Sequence, residues 1–354
     1  MLVLSSRMTS SVIKRVRVVA IDNLTSQSRK FTLEPLDGWQ PEYKAGQYLT
    51  FLFPHLDGEK RRSYSFVSSP AIDEPMAIAV KKIDNGEFSR QLVYNTHVGQ
   101  VLAAAGIQGL FILPSPAAGN DYFFLAAGSG ITPCLSLIRT LLATSTERVV
   151  LIYSNSSPGD AMFLNELEQL RKQHAGRFTL HLLFSNTFRA GESRLSKSLL
   201  ERLLHTYRRR EMVTHFFLCG PELYMLMIGI TLHSSGITNE FIHREDFDTR
   251  PRLFKPRPPD TNPHEVRINI NGTVKHLTVR FPDSILAVAK KNNLVLPYSC
   301  EAGRCGACIA TCTSGKTWMA YNEVLTEADL QKGLVLTCQA YPIGGDVELE
   351  IKSS

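Results

Sequence analysis

Seven cysteines occur in the 354-residue chain, and four of them fall in a pattern that can hold metal. Cys300, Cys305 and Cys308 follow C-x4-C-x2-C spacing, and Cys338 comes after 29 intervening residues. Four thiolates so spaced can hold the two bridged irons of a [2Fe–2S] centre. Ala302, Gly303, Gly306 and Ala307 crowd the loop. Small residues let the backbone wrap close around inorganic sulfides and aim its N–H groups inward. A structural zinc ion is the other use of four thiolates. Zinc usually takes two C-x2-C knuckles, however, and this region has one. A Rieske centre needs two His ligands, and no histidine follows His276. The chemistry implied is one-electron transfer.

Other residues point to flat, phosphate-bearing ligands. In Arg62-Ser63-Tyr64-Ser65 the arginine can grip a phosphate bidentately, the tyrosine can stack on a ring, and the Ser65 hydroxyl can reach a ring nitrogen. On its own, Tyr64 reads equally as a half-buried strand aromatic. Gly86-Glu87-Phe88-Ser89 places a glycine and a serine at a helix start, where N–H groups face anions. Gly128-Ser129-Gly130-Ile131-Thr132-Pro133 follows an apolar strand and opens a helix, a position that can cradle a dinucleotide pyrophosphate. The third glycine of the ordinary fingerprint is missing, and Ser154-Asn155 stands where an acidic residue would close the second strand. Cys219-Gly220-Pro221 ends a later strand; taken alone, Cys219 reads as a small buried hydrophobe. Cys134 fits helix packing, and Cys312 is a bystander.

The positioning elements change in texture along the chain. Residues 9–115 hold short β-rich runs broken by Pro, Gly, Asp and Asn, as an antiparallel barrel requires, with one helix over residues 87–94. Residues 116–248 alternate strand and helix, and the apolar Tyr122-Phe123-Phe124-Leu125 suits a parallel sheet covered on both faces, giving an α/β doubly wound unit. Residues 249–263 form a proline-rich, semi-rigid linker. Residues 264–354 open on a hairpin around Asn271-Gly272, followed by a helix over 284–291 and the cysteine loop. The hydrophobic share of 44% and charged share of 20% describe a soluble globular chain of two or three domains. From His264 onward nine basic residues balance nine acidic ones, so the net +6 lies earlier and leans towards anionic ligands. Arg208-Arg209-Arg210 reads as a solvated helix end, without the aromatic platform of a nucleic-acid site. Neither a signal h-region nor an apolar run near 18 residues is present, and the odd cysteine remainder argues for a reducing compartment. These features lead us to expect a cytoplasmic protein with no membrane or nucleic-acid partner; Met8 is an alternative start.

In this order the modules resemble the ferredoxin–NADP reductase superfamily with a fused C-terminal plant-type ferredoxin of β-grasp (α+β) fold. They are similar to the reductase components of multicomponent oxygenases, the phenylacetyl-CoA epoxidase reductase branch among them. The resemblance implies that Arg62, Ser63, Tyr64, Ser65, Gly86, Phe88 and Ser89 bind FAD, with FMN the alternative. It implies that Gly128, Gly130, Thr132, Pro133, Cys219, Gly220 and Pro221 hold NADPH or NADH, and that Glu245 and Phe247 form the E-x-F closing the reductase part. Ser65, Thr132 and Cys219 would be catalytic in placing nicotinamide against flavin, and Cys300, Cys305, Cys308 and Cys338 would ligate the cluster. NADP-selective relatives carry Ser-Arg after the third strand; here Ser185 is followed by Asn186, with Arg189 and Arg194 nearby. The expected activity is electron transfer from NAD(P)H through flavin and iron–sulfur to a protein acceptor, an oxygenase or hydroxylase component. A stand-alone reductase of another acceptor and a zinc-bearing binding module are the rival readings.

Overall fold

The computed structural model describes residues 13–56, 58–114, 119–187, 193–250 and 254–351. Arg189, residues 9–12 of the predicted barrel and residues 251–253 of the predicted linker lie outside these residues.

Six strands form the first module: β1 Lys14–Thr25, β2 Ser28–Pro35, β3 Tyr48–His55, β4 Gly58–Ser65, β5 Ala77–Lys81 and β6 Val101–Gln108. They pair antiparallel in the order β4-β3-β6-β1-β2-β5. A bridge between Phe66 and Ile78 closes the ends into a barrel. Alternation drives this: Val16 and Val18 point inward while Arg15 and Arg17 stay in solvent. The barrel is filled by Phe31, Phe51 and Phe66, and helix α1, Glu87–Asn95, covers one opening with Phe88 and Leu92.

In the second module, strands β7 Asn120–Ala127, β8 Arg148–Asn155, β9 Phe178–Phe184, β10 Val213–Cys219 and β11 Ile242–Glu245 alternate with helices α2 Ile131–Thr144, α3 Leu164–Gln173, α4 Lys197–Tyr207 and α5 Glu222–Ser234. All strand pairs are parallel, in the order β11-β10-β7-β8-β9. Residues of α2 and α3 fill the core on one face, and residues of α4 and α5 fill it on the other. Strand order therefore reverses between β7 and β10, whose C-terminal ends form the crevice where such sheets bind ligands. At the opposite end, Arg209 and Arg148 both pair with the fully buried Asp121. The basic run is thus not wholly solvated, because burial of Asp121 demands a counter-charge.

A histidine pair, His215 buried and His243 half-buried, joins β10 to β11. His215 Nδ1 lies 3.2 Å from His243 Nε2, between Tyr122, Phe217 and Phe241. Burial, then the neighbouring ring, holds His243 down at about 4, and burial lowers His215 as well. Both rings stay neutral in the fold but take protons near pH 6.5 once unfolded. Stability is therefore fully present above about pH 6.5 and is lost as pH falls towards about 4, by up to roughly 3 kcal/mol. Urea midpoints measured across that window should fall for the wild type and flatten for His243→Phe. Equal slopes would rule the pair out as the cause.

The third module contains β12 His264–Ile270, β13 Thr273–Val279, helix α6 Ile285–Lys291, β14 Ile309–Ser314, β15 Thr317–Met319, α7 Glu327–Gln331, β16 Leu334–Leu336, β17 Ala340–Pro342 and β18 Val347–Ile351. Its main sheet runs β13-β12-β18-β14-β16, with β12 and β18 parallel and the remaining pairs antiparallel, a β-grasp. Asn271 and Gly272 both take positive φ, as the tight hairpin turn requires. Ser284 caps α6 by accepting from Ala287 N–H. The end of the linker is tied down rather than free. Asp260 accepts from Asn262 N–H at 2.9 Å and Gly344 N–H at 2.8 Å, bonds that draw its carboxyl to about 2.

Candidate functional site

Period-two alternation along β4 puts Arg62 and Tyr64 on one face and Ser63 and Ser65 on the other. The Arg62 guanidinium lies 4.9 Å from the Phe88 ring centre and donates to Arg61 O at 2.7 Å. Tyr64 is half-buried, packed on Phe51. Ser65 is only 2% exposed, and its Oγ has no hydrogen-bond partner. A buried hydroxyl without a partner costs about 1–3 kcal/mol, so this atom fits a ligand that supplies one. The turn before α1 is self-supporting: Ser89 Oγ donates to Gly86 O at 3.1 Å and accepts from Ile83 N–H at 3.2 Å. A Cβ on Gly86 would sit 2.2 Å from Ile83 Cγ1 and 2.5 Å from Ser89 Oγ, so a side chain there would have to displace both.

At the sheet crevice, the β7–α2 loop, the strand ends and the segment after β11 line a cleft of about 1000 Å³. The two glycines of the loop differ. Gly128 has φ +55° and open space where a Cβ would point, leaving room for a pyrophosphate. A Cβ on Gly130 would meet Cys219 O at 2.0 Å, so Gly130 is what lets α2 begin against the end of β10. Gly220 likewise faces Ala127. Thr132, buried, donates its hydroxyl to Ser129 O at 3.0 Å, and Pro133 is buried in the first turn of α2. Cys219 is fully buried beside the loop, and burial pushes its thiol well up, so it acts by shape rather than as a thiolate. Glu245 pairs in register with Cys219, and burial lifts its carboxyl to about 8. Phe247, by contrast, is 42% exposed at the cleft wall.

The cysteine loop brings its thiols together two and two. Cys305 lies beside Cys300 and draws that thiol down to about 6, while Cys308 and Cys338 lie beside each other. Ala302 N–H points at Cys300 Sγ, at 3.4 Å, and Ala307 N–H at Cys305 Sγ, at 3.5 Å. Positive φ at Glu301, Gly303 and Gly306 turns those amides inward. Among the described residues no three ligating side chains converge on one ion position. Two pairs of thiols fit two bridged irons, one pair to each. Cys134 lies on α2 and is buried in the core, and Cys312 stands apart, its Sγ donating to Ser314 O.

Several residues that sequence reasoning passed over build this centre. Thr337 ties Cys308 to the Cys338 side through its N–H and hydroxyl, both at 3.0 Å from Cys308 O. Gln339 donates to Glu301 O at 2.9 Å. Both flank Cys338, and that position was the available signal. Tyr48 gave none: from β3 its hydroxyl donates to Cys305 O at 2.7 Å, in the interior. Ser63 and Ser299 hydroxyls meet at 2.7 Å, and Arg61 stacks 3.7 Å from the Tyr298 ring centre. The iron–sulfur loop thus packs on the edge of the barrel beside the orphaned Ser65.

Comparison with known proteins agrees with this architecture. Residues 15–112 match the oxidoreductase FAD-binding domain, residues 124–228 the oxidoreductase NAD-binding domain, and residues 268–342 the 2Fe-2S iron-sulfur cluster binding domain. The ferredoxin reductase component of 3-ketosteroid-9-alpha-monooxygenase from Mycolicibacterium smegmatis is 32% identical over 87% of this chain and 86% of its own length. One of the component chains of the Escherichia coli 1,2-phenylacetyl-CoA epoxidase is 32% identical over 87% of this chain and 88% of its own length. Phthalate dioxygenase reductase shares the fold, with a TM-score of 0.58 at 23% identity over 96% of this chain and 98% of that one. A type IV self-sufficient cytochrome P450 monooxygenase superposes with a TM-score of 0.74 at 20% identity, this chain spanning 41% of it. The chain belongs to the family of oxygenase reductase components, NAD(P)H-dependent oxidoreductases that join FAD-binding, NAD-binding and [2Fe–2S] domains in one polypeptide.

Proposed function

We propose that this chain delivers electrons from NADPH, through FAD and its [2Fe–2S] centre, to a separate oxygenase component. The observation that carries the reading is the packing of the cysteine loop on the barrel edge, with Tyr48 bound to Cys305 O and Ser65 Oγ buried without a partner nearby. When bound, the flavin accepts a hydride's two electrons together and releases them singly, which neither nicotinamide nor iron can do. The chain's own residues bind and orient. Arg62 grips a flavin phosphate, Tyr64 flanks the ring, and Ser65 donates a hydrogen bond at the ring's reactive edge. Gly86, Phe88 and Ser89 shape the second phosphate turn. Gly128 N–H and the start of α2 hold the coenzyme pyrophosphate, while Thr132, Pro133, Cys219, Gly220 and Pro221 frame the nicotinamide in a near-attack pose. Glu245 and Phe247 close the far wall, and the four cysteines ligate the irons.

NADPH is favoured over NADH by the lining at the ends of β8 and β9. Ser154, Ser156, Ser185 and Arg194 stand there, a set that suits a 2′-phosphate better than a bare ribose hydroxyl. All seven cysteines are free, which suits a reducing cytoplasm, and no described helix is long and apolar enough to cross a membrane. Anaerobic titration with each coenzyme, following flavin and iron–sulfur bands together, tests the route. Both bands should bleach, and kcat/KM for NADPH should exceed that for NADH by about tenfold, the worth of one good charge-assisted contact. Bleaching of flavin alone, FMN on extraction, or preference for NADH would each overturn the corresponding part.

A further inference from the structure

Residues 246–250 form a strap with a different site on each side. One side lines the coenzyme cleft. The other is gripped by Arg304, from the middle of the cysteine loop. Its guanidinium, only 6% exposed, lies 2.9 Å from the Asp248 carboxylate and 3.5 Å from that of Asp246, and donates to Asp248 O at 3.2 Å. Glu323, at 3.3 Å, is its partner within the third module. The Asp248 carboxylate is shared: Arg250, on the cleft wall and 77% exposed, pairs with it at 2.7 Å.

This arrangement covers the outer edge of the cysteine loop. Cys300 and Cys305, each 9% exposed, pack with Ala302 and Ala307 on Tyr48 of the barrel, and Leu110 and the strap lie against the same loop, whereas Cys308 and Cys338 are buried in the third module's own core. An external protein cannot approach that edge while the module is docked. Delivery needs a second, undocked state in which Arg304 has left Asp246 and Asp248.

We infer that the strap couples coenzyme binding to docking of the iron–sulfur module, with Arg304 as the positioning residue and Arg250 as the switch. A coenzyme phosphate in the cleft is a stronger partner for Arg250 than a shared carboxylate. When the Arg250 guanidinium turns to it, Asp248 keeps Arg304 as its one charged partner beside the Arg250 N–H, and the docked state tightens. By linkage, docking tightens coenzyme binding by the same factor. Loading then occurs with the coenzyme in place, and its departure loosens the module for delivery. This rests on the reading that coenzyme phosphates occupy the cleft.

The test is equilibrium titration of the full-length holoprotein with NADP⁺, and separately NAD⁺, with no turnover. Arg304→Gln should raise the Kd roughly fivefold, at the low end of typical coupling. In an Arg250→Gln background the same change should add almost nothing. Hydrogen exchange of residues 300–308 should slow on adding NADP⁺ to the wild type and stay unchanged in Arg304→Gln. Wild-type affinity in Arg304→Gln, or additive effects in the double variant, would overturn the coupling. If Arg304→Gln lacks the reduced-cluster EPR signal, Arg61→Gln takes its place, since it loosens the docked face from the barrel side. It should also weaken NADP⁺ binding, and unchanged affinity there defeats the inference. Failure of the wild type to bind either coenzyme would instead defeat the cleft assignment.

Discussion

Cys338→Ala is expected to yield a yellow protein without its iron–sulfur bands, in which reduction of a one-electron protein acceptor falls by more than about 100-fold. Removing outer-shell partners alone costs about 10–100-fold in metal sites, so losing a ligand atom should exceed that. The thiols approach as Cys300 with Cys305 and Cys308 with Cys338, so alanine at 338 leaves one iron with a single thiolate. Cys338 arrives from a separate segment, held by Thr337 and Gln339, while Cys312, the remaining cysteine of this module, bonds Ser314 O instead. Electron flow from coenzyme to a small dye that accepts at the flavin should persist, because the first two modules keep their own cores. Cys312→Ala is the control, with full iron and acid-labile sulfide. Retention of both in Cys338→Ala would mean that the ligand set has been misassigned.

Gly130→Ala should be the most damaging single-atom change in the coenzyme site. The added methyl would fall 2.0 Å from Cys219 O and 2.5 Å from its carbonyl carbon, both backbone atoms that cannot swing aside. Relief requires the start of α2 to move off the end of β10. That opens the crevice between Thr132 and Cys219, the two residues proposed to frame the nicotinamide. A misplacement near 1 Å costs about 100-fold in rate, and overpacking of this kind costs typically about 1–3 kcal/mol in stability. Stopped-flow flavin reduction by NADPH and urea denaturation measure the two effects separately. Gly128→Ala provides the contrast: its Cβ meets nothing, though positive φ strains it, so stability should fall by about 1 kcal/mol. Flavin reduction in Gly130→Ala within about threefold of wild type would remove the close approach as a cause.

The elements and the kind of chemistry are legible in the amino-acid sequence. Alternation in β1, the continuous apolar run of β7, the Asn271-Gly272 turn and the C-x4-C-x2-C spacing are local signals, because period, turn geometry and ligand spacing are set within a few residues. Helix α4 is legible the same way, beginning after its Ser196 cap. How the three units meet is a matter of tertiary packing. Tyr48 to Cys305 spans 257 residues, Ser63 to Ser299 spans 236, and Arg304 to Asp248 spans 56. None of those contacts belongs to a pattern, since a contact across modules depends on how whole surfaces pack and leaves no periodic trace in either partner. The same holds for Asp121, whose burial draws Arg209 out of an apparently solvated run, and for Gly86 and Gly130. Both glycines look like ligand cradles in sequence, yet a Cβ at Gly130 would meet the backbone of Cys219, and one at Gly86 would push on the side chains of Ile83 and Ser89. Spacing along a chain can specify a cluster; whether that cluster faces the flavin edge or the solvent is fixed by packing alone.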